Sequence, residues 1–315
     1  MNVYLFLLLK HNGGDTMDIN MIGVPLFFGS DKKGVDEGPN KLRENGLEPV
    51  IEKYGHYLYD LGNLYVKNVD ESHKFSTDRR MKYIDEIVDV NTNLAHLVYC
   101  SLQSNCFPLI IGGDHSLGLG SISGASKYFD NLGIIWIDAH GDINTHETTV
   151  TGNVHGMPLS AAMGFGYERL VNLYYDGPKV KKENVFIIGA RDLDDDEVEM
   201  IEKNKLNVWT TEYIKAHSIE KTMEEIFSKI KERNIANVHV SFDIDVLDKN
   251  LVPGTGTPVA NGITAEDAKN ILKAVLATKL VRSMDIVELN SALDRNDATL
   301  KATMDIIDYC FSIIK

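Results

Sequence analysis

Cysteine is scarce in this chain, with three in 315 residues, an odd number at spacings that match no metal or disulfide motif. A disulfide scaffold is therefore excluded, and Cys100, Cys106 and Cys310 read as buried thiols in a reducing compartment. Positive charge is also in deficit: 32 Lys and Arg stand against 46 Asp and Glu, for a net charge of −14. That balance argues against nucleic acid and anionic membrane as partners, while suiting a small cationic ligand. No apolar run is long enough to span a bilayer; the longest candidate, residues 3–9, is far too short. It also lacks the basic flank and small-residue cleavage site of a secretory signal. Residues 1–16 are expected to be an N-terminal extension, since Met17 looks like a natural start running into a first strand at Ile19–Val24. Linkers, repeats and low-complexity stretches are lacking too, so residues 17–315 are expected to form one domain. Hydrophobic content of 43% and charged content of 25% are ordinary for a globular protein.

Three apolar strands end in chemistry. Ile134-Ile135-Trp136-Ile137 runs into Asp138, His140 and Asp142 at a spacing of two. In an extended chain that spacing sends all three side chains to one side. Val238–Phe242 runs into Asp243 and Asp245, and Leu109-Ile110-Ile111 passes through Gly112-Gly113-Asp114 to His115. Carboxylates at the ends of buried strands are costly without a partner, and a cation is the economical one. Two imidazoles and four carboxylates are too many for one ion and suit two. A set without cysteine is unlike structural zinc and fits Mn²⁺ best. Two such ions can share a water and lower its pKa, so no covalent nucleophile is needed.

Strands alternate with helical patterns along the whole chain, which predicts a mostly parallel sheet in an α/β fold. Strands are expected at 19–24, 57–62, 107–111, 134–137, 185–190, 206–210, 238–242 and 284–288. Helices are expected at 76–104, after Ser218, after a Thr264/Asp267 capping box, and over 297–313. The 76–104 helix reads as covering structure, its His96 a surface or packed residue. The polar stretch 144–159 follows the first acidic strand directly, and ordered loops of that length are usually functional.

Gly112-Gly113-Asp114-His115-Ser116, Asp138-Ala139-His140-Gly141-Asp142 and Ser241-Phe242-Asp243-Ile244-Asp245 together resemble the ureohydrolase family, which contains arginase, agmatinase and formiminoglutamase. The resemblance implies a three-layer α/β/α sandwich with an eight-stranded parallel sheet. It implies metal ligation by His115, Asp138, His140, Asp142, Asp243 and Asp245, with two Mn²⁺ and Asp142 bridging them. It further implies catalytic roles for Asp142, for His155 as a proton shuttle and for Glu288 as a guanidinium clamp, with Thr257 near that pocket. The 144–156 loop resembles that of arginases. Asn144, Thr151 and Asn153 would meet a substrate α-carboxylate, and Asp194, assisted by Glu197, its α-amino group. The implied reaction is hydrolysis of L-arginine to L-ornithine and urea by a cytoplasmic homo-oligomer, a trimer or hexamer. An agmatinase or other guanidino-compound hydrolase, and a non-catalytic arginine-binding homologue, are the alternatives. Two positions depart from the arginase pattern: Thr151 stands where many have Ser, and Ala265-Glu266 where many have Tyr-Arg, a contact between subunits.

Overall fold

The computed structural model describes residues 16–314, and the expected extension lies outside them but for Thr16. Eight strands form one sheet: β1 Asp18–Val24, β2 Tyr57–Asn63, β3 Phe107–Gly112, β4 Gly133–Ile137, β5 Val185–Ile188, β6 Asn207–Trp209, β7 Val238–Asp243 and β8 Val281–Val287. Their order across the sheet is β2-β1-β3-β8-β7-β4-β5-β6, and every pairing is parallel.

The apolar strands demand cover on both faces, and they receive it. β3, β4, β5 and β7 are buried along their whole length. Alternate residues of one strand enter different cores, as the two-residue period requires. Ile135 and Ile137 of β4 join a core with helices Ile219–Glu232, Ala265–Ala277 and Ala298–Ile313. Ile134 and Trp136 join the opposite core, with helices Ile84–Gln103 and Gly118–Tyr128. The result is the expected α/β/α sandwich. β2, at the edge, is different: Tyr57, Tyr59 and Leu61 are exposed at every second position.

Three local expectations need correction. The long helix begins at Ile84 instead of residue 76. The Asp78 carboxylate accepts from the backbone N–H of Arg80 (2.7 Å) and Met81 (3.2 Å), a turn that competes with helix, and Tyr83 is left-handed at φ 50°. The segment Asp195–Asn204, where the pattern predicts no element, is a helix capped reciprocally by Asp194 and Glu197. Finally, Asp138, His140 and Asp142 are not successive same-face residues of a strand. β4 stops at Ile137, and Asp142 takes a left-handed φ of 52°.

Candidate metal centre and substrate cleft

The chemistry-bearing residues gather beyond the carboxyl ends of the four central strands, where open α/β sheets bind ligands. β3 leads to His115, β8 to Glu288, β7 to Asp243 and Asp245, and β4 to Asp138, His140 and Asp142.

Two clusters have ligand atoms within 4.8 Å of one another: His115 with Asp138 and Asp243, and Asp138 with His140 and Asp245. They share Asp138. Asp142 reaches the first cluster alone, with its Oδ2 3.2 Å from His115 Nδ1. Asp138 is therefore common to both groups, and Asp142, expected to bridge, lies against His115 of the first. His115 Nδ1 also lies 2.9 Å from Asp138 Oδ2 and 3.2 Å from Asp243 Oδ2. His140 Nδ1 lies 3.3 Å from both Asp138 Oδ1 and Asp245 Oδ2.

This arrangement calls for cations. The Ser241 hydroxyl donates to Asp285 Oδ2 at 3.3 Å, which leaves its oxygen to accept from His115 Nε2 at 2.8 Å. With the proton on Nε2, the Nδ1 lone pair faces three carboxylate oxygens. Such a contact is stable only with positive charge at Nδ1, either a proton or a cation in its place. Burial opposes protonation of His115 and His140, yet the surrounding carboxylates outweigh it and raise both pKa values well above the usual range. Asp142 is pushed up to about 6 by burial and by Asp138 beside it. A buried acidic cluster that raises the basicity of every imidazole it touches matches the donor set of hard divalent cations.

Supporting contacts fix these donors. Trp136 stacks on the His115 ring at 3.9 Å and 6°, and its Nε1 donates to Asp138 Oδ2 at 3.0 Å. Behind Ser241, the buried Asp285 also accepts from Ser121 Oγ (2.6 Å) and lies 3.1 Å from His239 Nε2. Arg191 gathers the carbonyls of Asp245, Val246, Leu247, Val259 and Ala260 at 2.8 to 3.2 Å, holding the loop after β7 against the loop that carries Thr257.

Glu288 stands beside the first cluster. Its Oε1 accepts from the His115 backbone N–H at 2.9 Å and lies 3.2 Å from His155 Nδ1, while its buried Oε2 has no partner among the described residues. It is left-handed at φ 67°, a costly conformation for a residue without glycine's freedom, and of the kind that collects at functional sites. Burial works against its ionisation, but His155 and the His115 amide hold its pKa below the usual value. The same pairing raises His155 despite its own burial.

Above the clusters opens a cleft of about 230 Å³, lined by His140, Asp142, Asn144, Thr151, Asn153, His155, Asp194, Glu197 and Thr257 among others. That volume suits a ligand of amino-acid size. Every substrate-contact position expected from the sequence lines it. Thr257 Oγ1 donates to Asp245 Oδ2 at 3.2 Å. Asn144 Nδ2 donates to Asp194 Oδ2 at 2.8 Å, and Thr151 Oγ1 accepts from the Asn153 N–H at 3.2 Å. Glu197 is buried beneath, its pKa pushed up to about 7 by burial and by Asp142.

The Arginase family profile matches residues 17–312. The chain belongs to the arginase family. Among arginases it is 40% identical to that of Brevibacillus brevis over 93% of this chain and 97% of that one. The arginase of Bacillus caldovelox, solved at pH 5.6, superposes with a TM-score of 0.90 at 35% identity, covering 94% of this chain and 98% of that one. An Entamoeba histolytica arginase in complex with L-ornithine superposes at 0.87 with 30% identity, covering 95% and 99%. Membership in the arginase family makes the chain a metal-dependent hydrolase. Among the described residues no helix is long and apolar enough to cross a membrane.

Ser241, Asp285, Trp136 and Arg191 were missed as supporting groups by sequence reasoning. Ser241 and Trp136 each stand two positions before an acidic residue of the clusters, and that spacing was the available signal.

Proposed function

We propose that the chain hydrolyses L-arginine to L-ornithine and urea at a centre holding two Mn²⁺. The observation that carries this reading is the pair of clusters sharing Asp138, set beside a buried Glu288 oxygen with no partner among the described residues. His115, Asp138, Asp142 and Asp243 would hold one ion; His140, Asp138 and Asp245 the other. Four carboxylates balance two dications, and a mostly oxygen set with one imidazole each suits Mn²⁺. Bound there, the ions would supply Lewis acidity and bring a shared water to its nucleophilic form near neutral pH.

The chain's own residues do the rest. Glu288 receives the planar guanidinium in a charge-assisted contact, which aligns its carbon over the clusters. Asp142, ionised, accepts a hydrogen bond from the attacking water and orients it. His155 keeps a proton because Glu288 raises its basicity, and delivers that proton to the leaving amine as the C–N bond breaks. Asn144, Thr151 and Asn153 meet the α-carboxylate, Asp194 and Glu197 the α-amino group, and Thr257 lies beside the guanidinium. The family resemblance extends the reading to one domain over 17–315 acting as a cytoplasmic homo-oligomer.

Urea release by the Mn²⁺-loaded protein, with L-arginine and agmatine side by side, tests the proposal. Arginine-selective turnover supports it. Preference for agmatine would overturn the substrate, and silence on both would overturn the activity.

A further inference from the structure

Lys82 lies far from the metal-binding strands in sequence, and nothing in its surroundings there marks it. In the fold its Nζ donates to Asn153 Oδ1 at 2.8 Å, and its backbone N–H donates to Gly152 O at 2.9 Å. The same Nζ lies 3.0 Å from Asp31 Oδ2, which Lys74 also meets at 2.7 Å. Only 16% of the Lys82 side chain is exposed, so this is a held ammonium and not a waving surface charge.

We propose that Lys82 is a positioning residue that orients the Asn153 amide and so sets the preference for ligands carrying an α-carboxylate. The inference rests on the arginine reading above. An ammonium has no acceptor, so the atom facing Lys82 must be the Asn153 carbonyl oxygen. The amide nitrogen is thereby turned to the other side, where it donates to Ser30 O at 3.1 Å. One of its two protons is spent on Ser30; the second is left for the cleft that Asn153 lines. Without Lys82 the amide is held by its donation to Ser30 O alone, so its orientation toward the cleft rests on one hydrogen bond instead of two. Ser30 is itself fixed, since Asp114 Oδ2 accepts from the N–H groups of Gly29 (2.8 Å) and Ser30 (3.1 Å). Lys74 shares the Asp31 carboxylate with Lys82, which fixes the ammonium from a second side.

The test compares Lys82→Met and Lys82→Arg with the unsubstituted full chain, all Mn²⁺-loaded. Calorimetry gives the Kd of L-ornithine, which carries the carboxylate, and of putrescine, which does not; steady-state kinetics give KM and kcat for L-arginine. Lys82→Met is expected to weaken ornithine binding about tenfold with little change for putrescine. KM for arginine should rise by a similar factor, more than kcat falls. Lys82→Arg, which keeps charge and donor, should recover most of the affinity. An unchanged ornithine-to-putrescine ratio in Lys82→Met, or equal weakening of both, would overturn the assignment while leaving the arginine reading intact. If the unsubstituted protein itself fails to prefer ornithine, the arginine reading falls and the inference falls with it.

Discussion

Glu288 Oε1 lies 3.2 Å from His155 Nδ1, while the buried Glu288 Oε2 meets no donor among the described residues. In the proposed reaction the first oxygen orders the imidazole and the second receives the guanidinium. Glu288→Gln retains shape but loses the charge that a guanidinium needs. Arginine turnover should fall about 100- to 1,000-fold, with bound metal retained. Steady-state kinetics beside metal analysis would check this; a loss of metal would mean that Glu288 supports the clusters and not the substrate.

Asp138 belongs to both clusters, and Asp142 meets His115 of the first. Asp138→Asn is therefore expected to empty both metal positions, and Asp142→Asn to empty one. Metal content after gel filtration, measured by plasma mass spectrometry, separates the two. Activity should fall at least about 100-fold in each case. Equal metal content in the two variants would restore the shared role to Asp142.

Asn153→Ala removes an amide from the cleft rim without touching the clusters. KM for arginine should rise about tenfold, and agmatine, which has no carboxylate, should be handled as before. Parallel losses on both substrates would show that the loop does not read the carboxylate.

Arg191 offers one guanidinium to several loop carbonyls. Arg191→Met keeps the stem and leaves those carbonyls unpaired. The melting temperature should drop by about 5–10 °C, from a loss of roughly 3 kcal/mol. Differential scanning calorimetry gives the answer directly.

His56 is buried, accepts from the Met17 N–H at Nδ1 and meets Phe311 O at Nε2, both at 3.3 Å. Both ring nitrogens are used by the neutral form, and burial lowers its pKa below 6.5 although Phe311 O opposes this. Below about pH 6.5 the unfolded chain then binds a proton that the folded chain refuses, so stability falls with pH until the lowered folded value is passed. Melting curves of both proteins from pH 7.5 to 4.5 should show the unsubstituted chain losing more stability, or gaining less, than His56→Gln as pH falls, since raised groups such as Glu197 act in the opposite sense. An identical slope in the variant would assign the pH dependence elsewhere.

The parallel sheet and the acids and imidazoles that gather beyond it were legible because both write themselves locally: continuous apolar runs, then acids and imidazoles within a few residues. How those side chains come together was not. Asp138, His140 and Asp142 converge through a turn with Asp142 left-handed, and no pattern of hydrophobicity records a φ angle. The helix start at Ile84 was hidden for a similar reason, since Asp78 and Tyr83 turn the chain where composition still favours helix. Lys82 and Arg191 were invisible for another. Their partners lie 71 and 54 to 69 residues away, and meet them only once the sheet has assembled.

The strand order also governs when the centre can come into being. β1, β2 and β3 form one side of the sheet and β4 to β7 the other, and β8, last in the chain, lies between them. Until residues 281–287 leave the ribosome, β3 and β7 are open parallel edges with no neighbour to join them. His115 then has no route to Asp138 or Asp243. A nascent chain therefore carries two half-sheets exposed to mispairing, and the cluster of His115, Asp138 and Asp243 can form only when β8 joins the halves. Asp138, His140 and Asp245, all carried by the paired β4 and β7, can meet before that step.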